Sequence, residues 1–199
     1  MIGNYNQLTI KQFLQCKTIA ELEPDPINRK VKMLSAVTGQ DIDVIESLPI
    51  GELFAKLKEF SEVETLQTNQ KVRMKFKVAG KRFECIWKLQ ELSAAQYIDV
   101  SHFTKEQVNI VQNIHNILAA VCVKSSLFKR KKYNGDDHKE VAELFYNNMK
   151  ISQAYPLMLF FCKFFEVLER NIATCLMGEI QKTEQMIRTS IRNGDGLQR

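Results

Sequence analysis

The chain has 199 residues, 45% of them hydrophobic and 26% charged, with a formal net charge of +5. That composition belongs to one globular domain, or one domain with a small appendage, and excludes a disordered chain, a fibre or a second full-sized core. Only 8 Gly and 4 Pro speak against an all-β protein with many tight turns and for a helix-rich one.

Met1 to Gln7 lack the basic start and the ~7 to 15 residue apolar stretch of a secretory signal, so the chain is expected to remain in a cytosol. Thr9-Ile10-Lys11-Gln12 is a capping box and predicts a helix to about Ala20. Asp25 as N-cap and Pro26 at the first helical position open a second helix through Val37, with Ile27, Val31, Leu34 and Val37 on one stripe and Gly39 past its end. Residues 41–48 predict a short helix. After Pro49, the spacing of Ile50, Leu53, Phe54, Leu57 and Phe60 predicts another.

From Lys71 the period changes from 3.6 to 2. Val72, Met74, Phe76 and Val78 alternate with Lys71, Arg73, Lys75 and Lys77, and after Ala79-Gly80 the alternation resumes through Phe83, Cys85 and Trp87. A hairpin that faces Val78 with Lys81, Phe76 with Phe83, Met74 with Cys85 and Val72 with Trp87 gathers its large apolar groups on one side. A lone hairpin is marginal in water, so this face must lie on helices or join other strands.

Ser93-Ala94-Ala95-Gln96 and Thr104-Lys105-Glu106-Gln107 are further capping boxes. The second predicts a long helix with Val108, Val111, Ile114, Leu118, Val121 and Cys122 inward. A polar loop, 124–137, leads to a helix holding Val141, Leu144, Phe145 and Met149. Ser152 is expected to cap the last helix, which continues more polar through Ile180, Ile187 and Ile191 before a mobile tail. The expected fold class is α+β and predominantly helical: a helical cluster over 1–66, one central antiparallel β-hairpin with long C-terminal helices over 67–192, and a tail over 193–199. The apolar run from Pro156 to Phe165 is interrupted by Lys163 and soon meets Glu166, Glu169 and Arg170, so no membrane span is expected.

Enzyme signatures are missing: no Gly-rich phosphate loop, HExxH or GxSxG occurs. The expectation is therefore a non-enzymatic chain without catalytic, cofactor-binding or metal residues, without a cofactor and without a small-molecule substrate. His115 beside its apolar stripe reads as a satisfied, partly buried side chain, and Asp136-Asp137-His138 as helix capping. Five cysteines, no two closer than thirteen residues, suggest reduced and mostly buried thiols in place of a disulfide framework or a metal knuckle.

Charge is distributed unevenly. Residues 67–132 hold thirteen Lys and Arg against four Asp and Glu, whereas residues 1–66 hold seven against ten. On the first strand Lys71, Arg73, Lys75 and Lys77 share the polar face ~6.6 Å apart, near the spacing of nucleic-acid phosphates, and Lys129, Arg130, Lys131 and Lys132 form a second cluster. Three readings stand: a solvated strand protected from edge pairing, a surface for an acidic protein, or an unspecific contact to nucleic-acid backbone, the polar face having no stacking aromatics. Phe160, Phe161, Phe164 and Phe165 cover two stripes of one helix, wide enough for a central helix or for a helix with a partner on its extra face.

Leu8-Thr9-Ile10-Lys11-Gln12-Phe13-Leu14, then Leu34-Ser35-Ala36-Val37-Thr38-Gly39 followed by Ile45-Glu46-Ser47-Leu48-Pro49, then a basic hairpin leading to Leu92-Ser93-Ala94-Ala95-Gln96-Tyr97-Ile98-Asp99, make up an ordered set of phrases. In this order the chain resembles small morphogenesis proteins of tailed bacteriophages, the tail-assembly-chaperone-like group of gut Bacteroidota phages, over roughly residues 8–170. The resemblance implies a non-enzymatic virion assembly protein of the host cytoplasm or the virion. It would guard apolar helices or form a ring near the portal and tail, with other phage structural proteins and itself as partners. Non-specific DNA contact through the basic hairpin is the alternative.

Overall fold

The computed structural model describes residues 7–61, 72–88, 91–104, 110–126 and 132–168, with positions 170 and 177. Its contacts divide the chain into two units, Met1–Leu159 and Phe160–Arg199.

Local chemistry sets the helix starts of the first unit. The Thr9 hydroxyl accepts from the Gln12 amide at 3.2 Å and the Gln12 side chain accepts from the Thr9 amide at 2.9 Å, which opens α1 (Ile10–Leu22). Asp25 accepts from Asn28 N–H at 2.7 Å to open α2 (Pro26–Thr38), which ends on Gly39 at φ 72°. Short α3 (Ile42–Glu46) and α4 (Ile50–Ser61) follow. Val31, Leu34, Ile45, Leu53 and Leu57 form their common core, with Leu48 packed against it. Of the expected stripes, Val37 packs instead against Cys16 and Met33, and Ile27, Ile50 and Phe54 stay exposed. Ile27 is exposed because it lies one turn before the first buried contact of α2, and Phe54 is exposed because α2 and α3 cover only the Leu53–Leu57 edge of α4. The Phe60 side chain lies outside what the structure describes.

The hairpin forms in the expected register. Phe76 faces Phe83 and Val78 faces Lys81 between β1 (Lys75–Val78) and β2 (Lys81–Cys85), and Cys85 N–H donates to the Met74 carbonyl at 2.8 Å. Ala79 and Gly80 both take positive φ, 46° and 77°, as a two-residue turn of matching twist requires. The far end departs from expectation. Ile86 turns inward to donate to the Val121 carbonyl at 2.8 Å, and this breaks the alternation, so Trp87 and Val72 end exposed.

Among the described residues the sheet has three strands, in the order β1-β2-β3. Ser93 and Gln96 close the expected capping box of α5 (Ala94–Thr104). The expected long helix is shorter: Val111 sits in a turn, α6 spans Ile114–Val121, and Cys122 begins β3 (Cys122–Lys124), antiparallel to β2. Val121-Cys122-Val123 meets the open edge of β2, whose backbone groups it pairs, and this replaces a further helical turn. Thr104, expected to cap the start of the long helix, is instead the last residue of α5, where its hydroxyl donates to the Val100 carbonyl at 2.9 Å, and residues 105–108 lie outside the described residues.

A 3-10 turn (Gly135–Asp137) leads into α7 (His138–Asn148), and the helix α8 covers Ile151–Leu168. Ser152 is inside α8 and does not cap it. The start is held by Lys150, whose carbonyl accepts from Gln153 and Ala154, while Ile151 N–H donates to Leu8 and Ile10 N–H to Met149. That bridge ties the head of α1 to the α7–α8 junction. Phe83 packs edge-on against Phe145 of α7 at 4.8 Å and faces Phe76 at 6.0 Å, so the hairpin's apolar face lies on a helix. Truncating so buried a ring costs about 3 to 5 kcal/mol.

In the second unit Phe161, Phe165 and Leu168 are buried, and Phe160 and Phe164 are half-buried and stacked at 6.3 Å. By length and composition α8 could cross a membrane, with mean hydropathy 1.3 and the charges Lys163 and Glu166; 44% of it is buried, and the core helix of a globular protein meets the same test. The expected continuation through Ile180, Ile187 and Ile191, and the tail, lie outside the described residues.

Candidate functional site

The sheet spends part of its positive charge within the fold. Lys75 pairs with Glu84 across the strands at 3.5 Å, and Lys81 and Lys124 converge on Glu140 of α7 at 3.2 and 3.5 Å. Lys124 also reaches Asp137 at 3.5 Å. The hydrogen bond from Lys81, with the Lys124 charge beside it, holds the Glu140 carboxyl below its usual range. These exposed pairs orient the sheet on α7 more than they stabilise it.

Among the described residues, Arg73, Lys77 and Arg82 remain outside these pairs. Arg73 precedes β1, Lys77 faces Arg82 across the hairpin, and all three are exposed. Lys71, Lys129, Arg130 and Lys131 lie outside the described residues, and Lys132 is exposed at the start of the next segment. Two contributors escaped the sequence reading. Arg82 sits opposite Lys77 by the register itself and could have been found from it. Trp87, expected on the apolar face, is 49% exposed with Lys88 Nζ 5.5 Å from its ring centre, so an accessible aromatic stands beside a cation just past β2.

A polar cluster forms where α5, the loop and α7 meet. The Tyr133 hydroxyl donates to the Asp99 carboxylate and lies 3.1 Å from His138 Nδ1. With its single proton directed to Asp99, Tyr133 accepts from Nδ1–H of a neutral His138. The His138 ring stacks on Phe103 at 5.4 Å, and its buried Nε2 has no hydrogen-bond partner among the described residues. Burial lowers its pKa against the opposing pull of Asp99, and burial beside the Asp99 carboxylate raises that of Tyr133. Asp136-Asp137-His138 is thus not a simple cap: Asn134 accepts from Asp136 N–H, Asp137 makes no side-chain cap, and His138 serves the cluster. The adjoining cavity, about 30 Å³ and lined by Ala119, Tyr133 and Val141, has room for a water and not for a substrate.

His115 differs from expectation as well. It packs on Tyr146 at 5.0 Å, but its buried Nδ1 has no hydrogen-bond partner among the described residues. Burial, and then the nearby His138, lower its pKa. With Leu14, Ile19 and Tyr146 it lines an open groove of about 570 Å³. No group of three His, Cys, Asp or Glu able to hold a metal occurs among the described residues.

Among the described residues, the N-terminal helices carry several large apolar side chains in solvent. Ile50 is 66% and Phe54 53% exposed, and Leu22, Ile27 and Val44 are exposed on the neighbouring elements. Ile50 and Phe54 are one turn apart on α4, on the flank of the stripe whose Leu53 and Leu57 are buried. In the aromatic helix, by contrast, none of the four phenylalanines is exposed.

No protein-family model, no curated protein and no solved structure matches the chain.

Proposed function

We propose that the chain is a non-enzymatic bacteriophage virion morphogenesis protein that acts by binding other protein subunits, as a tail assembly component or chaperone or as a ring-forming protein of the tail or portal region. The class comes from the resemblance of its segment order. The observation that carries the mode of action is the apolar flank of α4, where Ile50 and Phe54 stay in solvent beside a complete core. Exposed rows of large apolar side chains mark sites that a partner covers. The basic patch at Arg73, Lys77 and Arg82 would add charge selection and rate, with apolar groups supplying affinity.

Size exclusion with light scattering, at low and high salt, alone and with structural proteins encoded in the same phage genome, tests this. A self-associated species or a stable complex is expected. A monodisperse monomer that ignores every structural protein overturns the reading.

The second reading, a nucleic-acid-binding accessory protein, is favoured by exposed Trp87 beside Lys88, since an aromatic next to cations can stack a base. Gel shifts at low salt with the wild type, Trp87→Ala and Lys77→Glu/Arg82→Glu decide it. Binding that falls linearly with salt on a log scale and is lost in both variants supports it, and no shift at low salt removes it.

A further inference from the structure

We propose that Cys85 and Cys122 are a redox site, which a hydroperoxide converts into an intramolecular disulfide joining β2 to β3. The two residues are direct partners in the antiparallel register, 37 positions apart in sequence, and their sulfurs lie 2.9 Å from each other. The ladder places them well. Ile86 N–H donates to Val121 and Ser125 N–H donates to Arg82, so the hydrogen-bonded pairs are Ile86 with Val121 and Arg82 with Ser125. Cys85 and Cys122 therefore form a non-hydrogen-bonded pair, the kind with Cα atoms about 4.5 Å apart and side chains closest. A disulfide accepts Cα separations of about 4.4 to 6.8 Å, so the bond needs little movement of either strand.

The chemistry balances with the hydroperoxide as oxidant. One thiol sulfur attacks the distal peroxide oxygen, the O–O bond breaks, an alcohol leaves (water, when the oxidant is hydrogen peroxide), and a sulfenic acid forms. The neighbouring thiol sulfur then displaces the sulfenic hydroxyl, which departs as water with the remaining thiol proton, and the S–S bond forms. Both cysteines are buried, and burial holds the Cys122 thiol above its usual range. The first step is therefore slow, whereas the second has its partner already in contact. Cys16 and Cys162 have no second cysteine beside them among the described residues, so the same oxidant leaves them without this outlet.

The test treats the native full chain with hydrogen peroxide, then unfolds it, blocks remaining thiols without reductant and maps the peptides by mass. The expected result is a loss of about 2 Da, the two hydrogens of a dithiol. It should localise to linked peptides containing Cys85 and Cys122, be reversed by dithiothreitol, and disappear when the chain is oxidised in urea or carries Cys122→Ala. Cys85 and Cys122 both recovered as blocked thiols, both recovered as sulfinic acids without a linked peptide, or linkage of either to another cysteine overturns the proposal. The wild-type map decides it whether or not the variant folds.

Discussion

Gln96 donates its side-chain amide to the carbonyl of Ala120 at 2.8 Å while its own oxygen accepts from the amide of Ser93. A helix cap of α5 thereby also satisfies the end of α6, and Gln96 is 1% exposed as a result. Gln12 makes the same double connection, from the head of α1 to the Val37 carbonyl near the end of α2 at 2.9 Å. Two helix pairs are thus locked by one device, a capping glutamine whose second half faces outward from its own helix.

Gln96→Ala should lower unfolding stability by about 2 to 3 kcal/mol, since it removes the cap and leaves a buried carbonyl unpaired. Gln96→Glu keeps the acceptor toward Ser93 but at neutral pH has no donor for Ala120. Its loss should be at least as large at pH 7 and should shrink on acidification, because a buried carboxyl has a raised folded pKa and its protonated form restores the donor. Urea unfolding at pH 7 and 5 compares the two variants.

The hairpin turn carries a residue that fits it poorly. Ala79 sits at φ 46°, a region L residues other than Asn and Asp avoid, while Gly80 at 77° is well suited. Ala79→Asn should raise stability by about 0.5 to 1 kcal/mol, and Gly80→Ala should lower it through backbone conformation alone, because no neighbour lies within 4 Å of the added Cβ. Thermal melts of both variants check the opposite signs.

Stability should fall as pH drops below about 6.5, the unfolded value for histidine. His115 and His138 are both held neutral by burial, with folded pKa values below that figure. Their contribution is complete above the unfolded pKa and is lost as pH falls through the folded values, since the unfolded chain takes up protons first. The lowered carboxyls of Glu23 and Glu140 act the same way but only nearer pH 4.5 and below, which separates the two effects. Urea midpoints at pH 7.5 and 5.5 should converge in His115→Phe relative to wild type; an unchanged drop would assign it elsewhere.

Ile50→Ser with Phe54→Ser should change stability by no more than about 0.5 kcal/mol, because both side chains are mostly in solvent. If this flank is the partner site, the same variant should weaken the complex about tenfold or more, as removal of apolar anchors does. Calorimetric titration beside a denaturation curve reads both quantities, and an unaltered affinity would move the site off α4.

The starts of α1, α2 and α5 and the hairpin register were legible in the residues because each is decided within a few positions, whereas Ser152 falls inside the helix it was expected to open and Thr104 ends α5 instead of opening the next. Thr9 reaches Gln12, Asp25 reaches Asn28, and a turn of two residues sets Phe76 against Phe83. Burial of Leu53 and Leu57 followed from spacing, yet the exposure of Phe54 did not, since periodicity marks an apolar stripe without saying how much of it neighbours cover. Val121-Cys122-Val123 continues a helical stripe and is also a good strand, and only the unpaired edge of β2, 37 residues away along the chain, chose between them. The joining of Cys85 to Cys122, of Tyr133 to Asp99 and of Lys81 to Glu140 depends on that same folding back. Such pairings are decided by which backbone groups and buried polar atoms are left needing partners once the elements pack, and this depends on positions far apart in the chain.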